Sequence, residues 1–236
     1  MYSHWNNKHF IFKKITNLDM SFWKRITGQY KNRTEDIHNL QSELGLSALE
    51  QEEIGLINQL KSFELFKEGS NHKCNNLLMK KELSGNQFLF DHSFMIHHGK
   101  STSHYNQTVF FFDSKELTLP QFYLRPEHFG DKMLSWFGWK DINFSTHPEF
   151  SDRFKLTGEY EEIIRYYFDE KVLNFLNHQK NIYIEGMNYY LIIYTFNELI
   201  KPSDYPLFTK FCRMMYALFL HRSKTSEEDF TVTASN

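Results

Sequence analysis

The chain reads as an α+β protein: antiparallel sheet with flanking helices, a helical N-terminal segment and a long C-terminal helix. Three observations predict this class. Apolar residues recur at steps of three or four near both ends of the chain. The middle third alternates apolar and polar side chains with a period of two. The strands so predicted are joined by connections too short for a parallel crossover. A chain of 236 residues can bury a core without disulfides or a structural metal, and 24 Phe and 13 Tyr would fill that core with rings.

Taking the elements in order, Phe12, Ile15, Leu18, Phe22, Ile26 and Tyr30 form an apolar stripe over residues 1–33, with Gly28 weakening its last turn. Thr34 is placed to cap a helix ending at Leu44, where Gly45 can close it in a left-handed turn. Ser47 and Glu50 make a capping-box pattern for a second helix ending near Leu60. From His72 the period changes. Phe88, Phe90, Phe94 and Ile96 alternate with Gln87, Asp91, Ser93 and His97, and the turn Ser84-Gly85-Asn86 joins this strand to 73–81 as a hairpin. Strands are predicted at 108–112 and 121–124, a helix at 129–137, and a strand at 154–156 ending at Gly158. Two helices follow at 159–168 and 170–178, the first offering Ile163, Ile164, Tyr167 and Phe168 to the core. A hairpin at 182–194 then turns at Gly186-Met187-Asn188. The last helix runs from Pro202 to about His221.

This divides the chain into a basic aromatic segment at 1–33, one compact α+β domain at 34–222, bilobal if it divides near 127, and a mobile tail at 223–236. The first segment holds Lys8, Lys13, Lys14, Lys24, Arg25, Lys31 and Arg33 against Asp19, about +6, and the rest is about −8. A net charge of −2 offers phosphate backbones no general attraction, so no nucleic acid is expected as partner. Cys74 and Cys212 form no CxxC pair and read as reduced thiols. No stretch approaches the ~20 apolar residues that span a bilayer. Asn6, Asn7 and Lys8 interrupt the place where a signal peptide needs its apolar run. The expected location is cytoplasmic.

The segments Phe122-Tyr-Leu-Arg-Pro-Glu127, Asp141-Ile-Asn-Phe144, Pro148-Glu-Phe-Ser151, Phe154-Lys-Leu-Thr-Gly158 and Ile184-Glu-Gly186 resemble, in order and spacing, an uncharacterised family of bacterial proteins. The likeness reaches back through Leu65-Phe66, Asn75 and Gln107-Thr-Val-Phe-Phe111 and covers roughly 35–200. It implies no particular chemistry. Members resemble a cytoplasmic domain behind N-terminal membrane helices, which this sequence lacks. Its first 30 residues offer an interfacial substitute, in which Lys13, Lys14, Lys24 and Arg25 would meet anionic lipid or a partner and Trp23 would sit at the headgroup boundary. The plainer reading packs the same stripe on the core.

The densest titratable cluster is Asp91, His92, His97, His98 and His104. Imidazole and carboxylate suit zinc or iron, but a strand sends neighbours to opposite faces, so His97 and His98 cannot share a site without a bulge. Loop histidines in water are the plainer reading, and no metal is expected. Arg125, Glu127, Asp141 and Glu149 occupy the motif segments. They fit a structural clamp, since an Arg can hold a carboxylate by two hydrogen bonds, or Glu127 and Asp141 could act as general acid and base. Gly99-Lys100-Ser101 lacks the first glycine of a phosphate-binding loop and reads as a hairpin turn. Neither GxSxG nor GxGxxG occurs, so no nucleophile, cofactor or small-molecule substrate is indicated. The expectation is a non-enzymatic binding or regulatory module that docks a protein partner, with the membrane surface as a second contact. A metal-assisted or carboxylate-based hydrolase and a small-ligand sensor are the alternatives.

Overall fold

The computed structural model describes residues 32–49, 55–127 and 139–233. The strands are β1 (Ser47–Ala48), β2 (Ser70–Glu82), β3 (Gly85–His98), β4 (Ser101–Ser114), β5 (Leu119–Pro126), β6 (Phe154–Gly158), β7 (Tyr183–Asn188) and β8 (Tyr190–Tyr194). The helices are α1 (32–39), α2 (Gln41–Leu44), α3 (Leu56–Leu60), α4 (Glu64–Lys67), α5 (Pro148–Arg153), α6 (Glu161–Tyr167), α7 (Glu170–Leu176) and α8 (Tyr205–Thr233). The strands form one sheet in the order β1-β2-β3-β4-β8-β7-β5-β6, and every neighbouring pair is antiparallel. The α+β class read from the sequence is therefore the observed one.

The period of two works on both faces. One face sends Leu89, Phe110, Phe112, Leu124, Ile184 and Ile193 against Phe208, Met215 and Phe219 of α8 and Ile164, Tyr167 and Val172 of α6 and α7. The other sends Phe88, Phe90, Phe94, Phe111 and Ile192 against Leu56 and Leu60 of α3 and Leu65 and Phe66 of α4. Each fully buried ring contributes roughly 1.5–3 kcal/mol relative to exposure. A sheet covered on both sides by aromatics thus carries its own stability, and no helix among the described residues is long and apolar enough to cross a membrane.

Several local expectations are corrected by tertiary pairing. Helical residues already begin at 32, so Thr34 lies inside α1, its hydroxyl donating to Asn76 Oδ1 at 2.8 Å. Gly45 does close α2 at φ 62°. Ser47 does not cap a helix: Ser47 and Ala48 pair with Met79 and Leu78, and among the described residues the next helix is Leu56–Leu60. The arm predicted as loop beyond Ile96 is strand, with β3 and β4 in unbroken register from Gly85↔Ser114 to His98↔Ser101. The last hairpin turns at Tyr189 rather than at 186–188. Ile163 is exposed, while Ile164, Tyr167 and Phe168 are buried. The backbone of α8 continues past Ser223 to Thr233. The predicted helix at 129–137 lies wholly outside the described residues, as do residues 1–31.

The strand of the FKLTG motif ends where Gly158 lets α6 close on β5. A Cβ at Gly158 would lie 2.1 Å from Ile164 Cδ1 and 2.5 Å from the Gln121 carbonyl oxygen. The side chain could move, but the backbone oxygen cannot. Gly158→Ala is expected to cost about 1–3 kcal/mol of stability, read as a lower urea midpoint at unchanged m-value.

Candidate functional site

The buried carboxylates Asp91 and Glu185, with Glu64 beside the latter, and a histidine pair concentrate the polar chemistry of the described residues. On the α8 face, Asp91 of β3 accepts both arms of the Arg33 guanidinium, Nε to Oδ2 and Nη2 to Oδ1, each at 2.8 Å. Asn76 Nδ2 donates to Oδ2 at 2.8 Å, Thr108 Oγ1 to Oδ1 at 3.2 Å and the Tyr205 hydroxyl to Oδ1 at 3.1 Å. Arg33 Nη1 also donates to the Ile200 carbonyl at 2.7 Å. Asn76 reaches in because it sits at φ 51°, in the irregular stretch between Asn75 and Leu78. Burial, reinforced by the Asp91 charge, pushes the Tyr205 phenol well above its ordinary range. Five elements, α1, β2, β3, β4 and α8, are tied at this one carboxylate.

On the opposite face, Glu185 of β7 is 3% exposed. It accepts the backbone N–H of Glu64 at 2.6 Å and of Leu65 at 3.2 Å, and the Tyr194 hydroxyl at 3.0 Å. Tyr123 lies directly across the ladder from Glu185. Burial pushes the Glu185 carboxyl up to about 7, the Glu64 carboxylate adding to it and the three donors opposing it. Arg125, on the same face of β5 and buried, donates to the Pro126 carbonyl at 3.1 Å and offsets the upward shift of the Tyr123 and Tyr183 phenols. Leu65, Phe66, Tyr123, Arg125 and Glu185, scattered among the motif segments, therefore assemble around the junction of the sheet with α4.

Next to it, His92 Nδ1 faces Gln107 Nε2 at 2.6 Å and His92 Nε2 faces His72 Nδ1 at 3.0 Å. The two imidazoles lie nearly parallel, edge to edge, with centroids 5.2 Å apart, within reach of Phe66 and Phe94. The amide donor toward Nδ1 places the His92 proton on Nε2, which then donates to His72. Burial lowers His92 to about 3 and also lowers His72.

The residues singled out from sequence are thus dispersed. Asp91 and His92 are adjacent and point to opposite faces, one held by Arg33 and the other by His72. His97, His98 and His104 lie exposed on the β3–β4 arm, with His97 Nδ1 2.9 Å from Thr102 Oγ1. Among the described residues no three His, Cys, Asp or Glu side chains are placed to hold a metal ion. Glu127 and Glu149 are exposed, while Asp141 accepts from the Leu156 N–H at 3.3 Å and the Asn143 amide at 3.5 Å. Cys212 is fully buried, which pushes its thiol up, and Cys74 is half-buried. Lys13, Lys14, Trp23, Lys24 and Arg25 lie outside the described residues.

Sequence reasoning passed over Glu185, Arg33 and Asn76. Glu185 carried a signal: a carboxylate inside Tyr183-Ile184-Glu185-Gly186, where a predicted strand is otherwise apolar. Arg33 and Asn76 carried none, since their partners are 58 and 15 residues away.

No family model matches the chain, and no curated protein matches it. Among solved structures, the crystal structure of the mycobacterial trehalose monomycolate transport factor A, TtfA, aligns over 80% of this chain and 93% of that one, at a TM-score of 0.56 and 9% identity. At that identity the likeness is one of fold.

Proposed function

We propose that the chain is a non-enzymatic docking module that binds a protein partner, with its basic N-terminal segment as a second contact at an anionic membrane surface on the cytoplasmic side. One observation carries the reading. The buried carboxylates, the groups best suited to catalysis, are held by internal donors: Asp91 by Arg33, Asn76, Thr108 and Tyr205, Glu185 by two backbone amides and Tyr194, and Glu64 by Lys67. A general acid or base must reach the proton it moves, and Asp91 and Glu185 are committed to joining elements. The likeness to a transport factor is one of fold and supplies no substrate.

Native mass spectrometry of the untagged full chain from its own cells tests the reading. The expected result is a metal-free chain in fixed stoichiometry with a protein partner. A stoichiometric metal lost on His97→Ala/His98→Ala substitution would overturn it. For the membrane contact, changing Lys13, Lys14, Lys24 and Arg25 to Glu is expected to weaken sedimentation with phosphatidylserine vesicles by at least about tenfold, at roughly 1 kcal/mol per basic residue; unchanged sedimentation removes that contact.

A further inference from the structure

We propose that the free edge of β4 between Ser101 and Asn106 receives an extended, acid-bearing strand of a protein partner; the inference rests on the docking reading and names its surface. β8 pairs with β4 only from Val109 to Asp113. Beyond that, Thr108 gives its N–H to Glu198 and its carbonyl to Thr195, and the chain then turns away through Phe196 and Asn197. In an antiparallel strand the two backbone groups of a residue point the same way, and the direction alternates along the chain. Thr108 points away from β3, so Asn106, His104 and Thr102 do as well. Among the described residues no backbone group pairs with them on that side.

The sheet's other edges are blunted. β2 breaks register between Ser70 and Lys73 and between Asn75 and Leu78, with Asn71 and Asn76 at positive φ. β6 is five residues long and covered by 141–142, Ile142 N–H donating to Leu156 and Asp141 accepting from it. Bulges, short length and cover are the usual devices against strand addition. Among the described residues the β4 edge has none of them: no proline, no register break, and exposed side chains at Thr102 and His104. Such an edge is a template for an added strand, in which main-chain bonds give affinity and alternate side chains give selectivity.

Charge selects the occupant. Residues 95–106 contain Lys100, His97, His98 and His104 and no Asp or Glu, in a chain of net charge −2. An incoming strand with acidic side chains would meet Lys100 and the His104 imidazole and no carboxylate, whereas a second copy of this chain would bring Lys100 no acid from its own arm.

Amide exchange on the full chain, with a short alternating Glu-Val peptide as probe, tests this. Exchange should slow at least about tenfold at Thr102, His104 and Asn106 and stay unchanged at Ser103 and Tyr105, whose amides already face β3. A Lys-Val peptide should bind at least about tenfold more weakly. His104→Pro should abolish the effect while leaving the β3–β4 ladder intact, because that N–H is not in the ladder. Absence of the alternating protection, equal binding of both peptides, or the same protection from self-association without peptide would each overturn the proposal. A photo-crosslinker placed at Thr102 or at exposed Leu207 in the native cell separates the two levels. A protein adduct at Leu207 alone overturns the edge and keeps docking; none at either position overturns both.

Discussion

Arg33→Ala is expected to lower the free energy of unfolding by about 3–5 kcal/mol, read from urea denaturation at neutral pH. The Arg33 and Asp91 side chains are 10% and 8% exposed, so both charges have left water. Removing the guanidinium leaves the carboxylate with neutral donors only, and leaves the Ile200 carbonyl without the Arg33 donor. The size of the effect is the cost of an orphaned charge rather than the net worth of the pair. Adding Asp91→Asn to Arg33→Met should therefore regain about 1–2 kcal/mol over Arg33→Met alone, since a neutral amide no longer needs a counter-ion. Arg33→Lys should recover little, because an ammonium cannot bond both carboxylate oxygens and Ile200 in one plane. A loss under about 1 kcal/mol on Arg33→Ala would place this pair with exposed ion pairs and remove it as the tie between α1 and the sheet.

What the sequence made legible follows from what is local. The alternation of Phe88, Phe90 and Phe94 was a sound guide to a buried face, and its own register put His92 on that face. It also sent Asp91 outward, which went astray because α1 and α8 cover the second face. The capping-box pattern at Ser47 lost to pairing with Leu78 and Met79, a tertiary contact that outweighs a cap of about 1 kcal/mol. The polar run from His97 to Asn106 has no apolar alternation to mark a strand. It is extended because β3 and β4 template each other across the Gly99 turn, at φ 64°. Strand order was beyond reach, since β7 and β8 insert between β4 and β5 through contacts with no local signature. Of the polar centres, the motif segments did hold Tyr123, Arg125 and Glu185, but nothing in their spacing shows that they meet at α4.

Two buried groups, His92 and Glu185, should oppose one another in the dependence of stability on pH. His92 falls to about 3 in the folded chain against about 6.5 unfolded. The unfolded state thus binds the extra proton between those values, and stability is lost as pH falls through that window, up to about 5 kcal/mol. Glu185 rises to about 7 from an ordinary value of 4.5, so the folded state holds the extra proton. Its contribution is fully present below about 4.5 and is lost as pH rises toward 7, up to about 3 kcal/mol. Between about pH 4.5 and 6.5 the two slopes have opposite sign and nearly cancel, leaving the parent chain only the smaller rise with pH that the lowered His72 adds. Glu185→Gln keeps one oxygen to accept from an α4 amide, turns its NH2 toward the other at a cost in overall stability, and removes one titration; its stability should rise with pH across that interval by about 1.4 kcal/mol per unit. His92→Phe keeps a ring among Phe66 and Phe94 and should show the reverse slope, growing less stable as pH rises. Urea midpoints taken at several pH values decide it: parallel profiles for the parent and both variants would mean that neither group titrates inside the fold as its surroundings dictate. Opposed profiles would tie the α4 junction and the histidine pair to the protonation states assigned from their hydrogen bonds.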